Sequence, residues 1–209
     1  VRIILFTSLI IIFLLVATLG FSLWRSNQAT LAGAEREATT ATNLVVMSLN
    51  SYLNQRSGDV DVLATRRVLK DPAATIETKK LALQEVFNAY QGIYSDLLLV
   101  DTSGTLITGV GSGVLGQNYR DAEWFKQVQT KQAKHMEYRM SNDLKQPVIV
   151  FVIPLKDLAG QSLIGYVMAR IPFSAFDSFM KPLIDGFVAR GLTDSYPMIV
   201  DNKKVILWH

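Results

Sequence analysis

The sequence contains no cysteine, and only His135 and His209 represent histidine among its 209 residues. Disulfides, thiolate metal sites and cysteine nucleophiles are therefore excluded, and imidazole-rich zinc clusters with them. Lack of cysteine is compatible with either side of a membrane. Basic residues never gather into a block dense enough to track a phosphate backbone. The formal net charge of +3 is spread along the chain, so no nucleic-acid partner is expected. No G-x-S-x-G elbow, Walker loop or productive carboxylate pair is present. Asp101 and Asp201 belong to turns, where an aspartate bonds its own backbone. No catalytic residue, metal site or cofactor is expected.

Charge is also missing from Ile3 to Trp24, 22 residues between Arg2 and Arg25. At 1.5 Å per helical residue this run is about 33 Å long, enough for a hydrocarbon core of roughly 30 Å. Backbone polar groups in lipid must bond internally, so the run predicts a transmembrane helix over residues 1–25. A cleaved signal peptide is the competing reading; its apolar region would be shorter and would end in a clear small-residue cleavage site. Arg2 and Arg25 flank the run on opposite sides, so charge alone does not orient it.

Proline is absent from Ser26 to Leu69, and glycine appears there only at Gly33 and Gly58. Leu31, Ala34, Ala38, Ala41, Val45, Ser48 and Tyr52 fall at alternating steps of three and four, one stripe of a long juxtamembrane helix over 26–70. Its Ala-rich first half predicts a seam with a second copy of the chain. A second stripe, Leu49, Leu53, Val60 and Leu63, predicts packing on the chain's own domain. Asp71-Pro72 should close this helix and cap the next one, over Ile76 to Gln91, with Leu81, Leu83, Val86, Phe87 and Tyr90 on its apolar face.

Strand-like patterns follow. Asp96–Val100, the turn Asp101–Gly104 and Thr105–Gly109 read as a hairpin. After a glycine-rich loop comes a short helix near Asp121–Lys131. Strands are then expected at about Met136–Met140, Gln146–Pro154 and Leu163–Ile171. The fold class is α+β: a five-stranded antiparallel, PAS-like sheet module with helices packed on it. Pro172–Phe187 reads as a helix that Pro182 should kink or divide. Tyr196–Asp201 and Val205–Trp208 then repeat the earlier hairpin, as if a second module were starting and continuing past His209. Gly111-Ser112-Gly113-Val114-Leu115-Gly116 matches G-x-G-x-x-G, but it follows a hairpin strand and opens no helix. A loop over a pocket is expected there, not a dinucleotide site.

In order along the chain, the apolar run, the long helix, "LLLVDTSGTLIT", "YRDAEWFKQV", "KQPVIVFVIPLKDLAGQSLIGYVMARI" and "YPMIVDNKKVILWH" resemble the double Cache sensor region of bacterial chemoreceptors and sensor histidine kinases. The resemblance covers about Trp24 to His209. It implies a membrane-distal module over 71–172 and the start of a membrane-proximal module over 173–209. It further implies an inner-membrane protein with its soluble part in the periplasm, functioning in chemotaxis or two-component signal transduction. An output domain and a second membrane helix would follow His209; that output could be methyl-accepting, a kinase or a cyclase.

Family members hold small ligands between the distal sheet and the short helix. Here that places Tyr119, Arg120, Trp124, Phe125, Tyr138, Asp143 and Arg170 as candidate ligand contacts. Aromatic rings give apolar walls, an arginine forks onto a carboxylate, and an aspartate takes an ammonium. Amino-acid-binding members carry an arginine two positions before the matching tryptophan and an aspartate late in the last strand. This sequence has Ala122 and Ala169-Arg170 there, so that clamp is absent. Arg170 would then suit an organic acid, although a lone strand arginine more often lies at the surface. The residues imply a receptor for a small polar molecule, an organic acid or an amine. A membrane-tethered protein-interaction module without a ligand is the alternative.

Overall fold

The computed structural model describes the backbone at residues 2–112, 116–142, 144–190, 198–200 and 206–208, with side chains there except at 2–15, 200 and 206–208. Val1–Leu49 and Asn50–His209 form two compact units. Helix α1 (Arg2–Thr65) begins in the first and ends in the second. Thr39, Thr40 and Thr42 are weak helix formers, and each bonds the carbonyl four residues back, at 2.7, 2.8 and 2.8 Å. Among the described residues no helix is long and apolar enough to cross a membrane. The side chains of Ile3–Leu15, which carry most of the expected span, lie outside them.

α1 ends at Thr65, earlier than the Asp71-Pro72 pair suggests, because Arg66 adopts an extended ψ of 124°. Its guanidinium reaches Glu85 at 2.7 Å, and this tie to a neighbouring helix turns the chain. α2 (Arg67–Lys70) follows. The next cap is Thr75, whose hydroxyl accepts the Thr78 N–H at 3.2 Å to open α3 (Ile76–Ala89). Asp71 is spent on its own turn, accepting from Ala73 N–H at 2.8 Å. Ala82 and Leu83 are the buried face of α3, whereas Leu81 turns to solvent.

The sheet contains β1 (Asp96–Val100), β2 (Leu106–Gly111), β3 (His135–Ser141), β4 (Gln146–Lys156) and β5 (Leu163–Pro172), in the order β2-β1-β5-β4-β3 with antiparallel neighbours. The five-stranded antiparallel expectation holds. Asp101 bends the first hairpin by accepting from the Ser103 and Thr105 N–H groups, both at 2.8 Å. Burial works to raise its carboxyl, but the Ser103 hydroxyl and three backbone N–H groups outweigh that and hold it below its ordinary value. Gly111, at φ 88°, ends β2 against the Asp96 backbone, where a Cβ would meet Ser95 O at 2.1 Å. Helices α4 (Glu123–Lys131) and α5 (Ser174–Val188) complete the module, and α5 carries Pro182 without being divided. β6 (Ile199–Val200) pairs with β7 (Ile206–Trp208), but no second module is shown and the turn between them lies outside the described residues.

Strand register sorts side chains to two faces. Leu98, Val100, Val148, Val150, Val152, Tyr166 and Met168 form one core cluster with Trp124, Phe125 and Val128 of α4. The opposite parity, Leu97, Leu99, Phe151, Val167, Ala169 and Ile171, is equally buried. Buried residues of the other helices, among them Val60, Leu63, Leu69, Leu83, Phe176 and Met180, add to the core outside that first cluster.

Candidate functional site

β1 and β5 are adjacent at the centre of the sheet, and their register sets Asp96 opposite Arg170. Both side chains are 0% exposed. Arg170 Nε donates to the Asp96 carboxylate oxygens at 2.8 and 2.9 Å, and Nη2 adds a third bond. Nη1 donates to Ser141 Oγ at 3.1 Å, tying the pair to the end of β3. A buried ion pair survives only when its geometry repays desolvation, and multiple charge-assisted bonds supply that here.

The same face continues along β3. Glu137 pairs with Val150, which pairs with Arg170, so the three lie in one row. Arg139 sits two residues on, its guanidinium 5.8 Å from the Trp124 ring centroid and its Nε 3.8 Å from Glu137 Oε1. That distance is an ion pair without a hydrogen bond. Arg139 Nε, Trp124 Nε1 and the Tyr166 hydroxyl are buried polar atoms with no hydrogen-bond partner among the described residues. Burial also pushes the Tyr166 phenol above its ordinary value. Buried donors left unmatched cost free energy, and a ligand bearing acceptor oxygens would satisfy them. The sheet under α4 thus offers a neutralised Asp96–Arg170 floor and, beside it, N–H donors from Arg139 and Trp124.

The expected contacts divide across this geometry. Trp124 and Phe125 are each 1% exposed and pack edge to face, 5.7 Å between centroids, as part of the core cluster. Tyr119 is buried beside Trp124 at 5.4 Å. Arg120 is exposed, with Nε 3.4 Å from the Ser103 carbonyl. Tyr138 pairs with Ile149 and stacks edgewise on Phe173, on the sheet face opposite Arg170. One residue of strand parity separates it from the expected site. Arg170 is not the surface residue a lone strand arginine suggests, because Asp96 meets it from 74 positions away. Asp143 and residues 113–115 of the glycine-rich loop lie outside the described residues. Glu137, Arg139, Asp96 and Ser141 were not expected; in β3 the alternation of Glu137 and Arg139 with Met136, Tyr138 and Met140 was the available signal.

A second buried arginine lies where α1 meets α3. Arg56 is 5% exposed, lies 5.5 and 5.4 Å from the Tyr52 and Tyr90 ring centroids, and has Nη1 3.1 Å from Asp59 Oδ2. Among the described residues Nε and Nη1 nevertheless find no hydrogen-bond acceptor, so the Asp59 contact is electrostatic and off the N–H axis. Tyr90 and Tyr94 donate to Asp59 at 3.0 and 3.3 Å. Among the described residues no acidic, histidine or cysteine cluster could hold a metal ion.

No family model matches the sequence, and no curated protein does. Solved structures do. An extracellular ligand-binding receptor from Desulfohalobium retbaense shares 19% identity at a TM-score of 0.57, over 71% of this chain and 26% of its own. The sensor domain of the histidine kinase DctB from V. cholerae shares 16% at 0.54, over 72% of this chain and 59% of its own. The ligand-binding domain of the amino acid chemoreceptor PctC from Pseudomonas aeruginosa, in complex with GABA, shares 21% at 0.58, over 84% and 72%. This chain therefore spans less than two thirds of the first two structures. The likeness establishes a fold shared with these three structures, in agreement with the fold that the Cache resemblance implies.

Proposed function

We propose that this chain, with the fold of a bacterial sensor domain, is the extracytoplasmic ligand-sensing region of a transmembrane receptor, a chemoreceptor or sensor kinase. The observation that carries the reading is the buried charged row beneath α4: Asp96 and Arg170 held together, with the Arg139 and Trp124 donors unmatched beside them. Asp96 is committed to Arg170, and Asp143, the carboxylate the sequence suggested for an ammonium, lies outside the described residues. The unmatched donors favour a small organic acid over an amine. The fold neighbours include structures described as complexes with GABA and with 4-methylisoleucine, which supports small-molecule sensing as the role of the shared fold.

Ile3–Trp24 would anchor the chain in the inner membrane with the soluble part in the periplasm. Val16, Leu19, Phe21, Leu23 and Trp24 are all at least 60% exposed on α1, apolar surface that lipid would cover. Leu31, 55% exposed, begins the stripe assigned to a homodimer seam. Domain limits follow the sequence: 1–25 membrane helix, 26–70 juxtamembrane helix, 71–172 distal module and 173–209 the start of a proximal one. Ligand binding would bias two arrangements of α1 through its differential affinity for them.

A second reading has its own support. Trp124 and Phe125 are packed into the core, which would suit a protein-interaction module that binds no small molecule. The full chain in nanodiscs, melted against organic acids, amino acids and amines, separates the two. A saturable rise in Tm with an organic acid, lost in Arg139→Ala, is expected. No shift with any compound would favour the interaction module.

A further inference from the structure

The opposite side of the sheet holds a half-open cavity, four of its eight lining residues exposed, that the α4-face site does not use. It lies between the last turns of α1 and the start of β3, with a volume of about 250 Å³, room for about eight water volumes. Asn50, Asn54 and Ser57 supply its polar wall from α1, at steps of four and three that keep them on one helix face. Leu53, Met136 and Phe151 supply an apolar wall. β3 is an edge strand, so its outward backbone groups border the cavity without a strand partner.

The chemistry of this lining differs from that of the α4 face. Lys134 is the one lining group carrying a fixed charge, and Asp61 neutralises it at 2.8 Å. His135 also borders the cavity, but its Nε2 is directed to Glu137 at 3.4 Å. What remains is two carboxamides and a hydroxyl, each able both to donate and to accept, opposite apolar side chains. Hydroxyl groups on a carbon frame have the same dual character, and their C–H faces suit the Leu53 and Met136 side. With Lys134 paired to Asp61, the lining offers a charged ligand no free partner, whereas hydroxyl groups meet carboxamides and a hydroxyl directly.

We propose that this cavity is a second binding site, for a small uncharged polyhydroxy molecule, a polyol or a pentose. Occupied, it bridges the α1 turn at Asn50–Ser57 to the edge strand. It thereby adds to the Lys134–Asp61 ion pair, which ties α1 to the residue just before β3. The site does not depend on the reading of the α4 face.

The test is isothermal titration calorimetry of D-ribose and glycerol into the full chain in nanodiscs, with malate as the charged control. Asn54→Leu and Arg139→Ala are measured beside the wild type. Asn54 is exposed, so its replacement leaves the core intact, and an unchanged melting curve confirms it. Saturable binding of D-ribose or glycerol, weakened about tenfold or more in Asn54→Leu and unchanged in Arg139→Ala, is the expected result. Binding lost in Arg139→Ala and kept in Asn54→Leu would put the ligand on the α4 face and overturn the proposal. So would the absence of binding by both polyols, whatever malate does.

Discussion

Arg170 and Arg56 are both withdrawn from water, 0% and 5% exposed, one in the middle of the sheet and one between helices. Around Arg170 the backbone does the positioning. Two adjacent strands in fixed register bring Asp96 opposite, and β3 brings Ser141, so the charge is met bond for bond. Around Arg56 there is no ladder. Ring faces of Tyr52 and Tyr90 stand over the guanidinium, Asp59 lies one helical turn on, and two guanidinium nitrogens find no acceptor among the described residues. A cation–π contact tolerates sliding and rotation in a way that a forked ion pair does not. The sheet therefore supplies a rigid floor, and the α1–α3 joint is the adaptable part.

The first way to break this contrast is to remove one partner from the floor. Asp96→Ala leaves Arg170 charged and buried without the carboxylate that takes its Nε and Nη2 bonds. A loss of about 3–5 kcal/mol is expected in denaturant unfolding. Replacing both, as Asp96→Leu with Arg170→Met, should recover most of it, because a well-packed apolar pair avoids the desolvation cost. A loss below about 1 kcal/mol in Asp96→Ala would mean that the pair is hydrated and the floor is not rigid.

The joint should respond more softly. Arg56→Met keeps the length of the side chain but removes both ring contacts and the Asp59 attraction. About 1–2 kcal/mol is the expected loss, since Asp59 retains the two tyrosine hydroxyls. If this variant proved as costly as Asp96→Ala, the two arginines would be equally structural and the contrast would fail. A loss of ligand-induced change in α1 crosslinking, with ligand affinity kept, would sharpen it.

How much of this was legible beforehand follows the same division. Local signals worked: alternation located the strands, Asp101 with Gly104 marked a hairpin, and the short helix around Trp124 fell where its pattern placed it. Non-local chemistry did not. Nothing in the sequence near Arg170 announces Asp96, because their meeting requires β1 to sit beside β5, a consequence of sheet order. Tyr138 and Arg139 show how fine the margin is. They are adjacent in sequence, yet pleating sends one to Phe173 and the other to Trp124. Two acceptable helix caps, Asp71 and Thr75, lay four positions apart, and tertiary contacts chose between them.

The smallest expected effect tests the joint alone, by pH. Three tyrosines surround Arg56 and Asp59, and each is raised above its ordinary value of 10.0. Burial is the main cause for Tyr94 and Tyr52, aided by the Asp59 charge and opposed by Arg56; for Tyr90 the hydrogen bond to Asp59 leads. The folded chain therefore holds phenol protons that the unfolded chain releases above pH 10.0. The corresponding stability is fully present below that pH and falls as pH rises beyond it. Tyr94→Phe removes the 3.3 Å bond to Asp59, at a cost of about 0.5–1.5 kcal/mol near neutrality. It should also make the alkaline decline shallower than in the wild type, followed by tyrosinate absorbance alongside unfolding. Tyr52, Tyr90 and Tyr94 owe their raised values to burial, to Asp59 and to one another, and not to Asp96 or Arg170, so a variant of that pair should leave the part of the alkaline slope set by these three untouched. A slope that changed equally in both would show the floor and the joint to be one cooperative network.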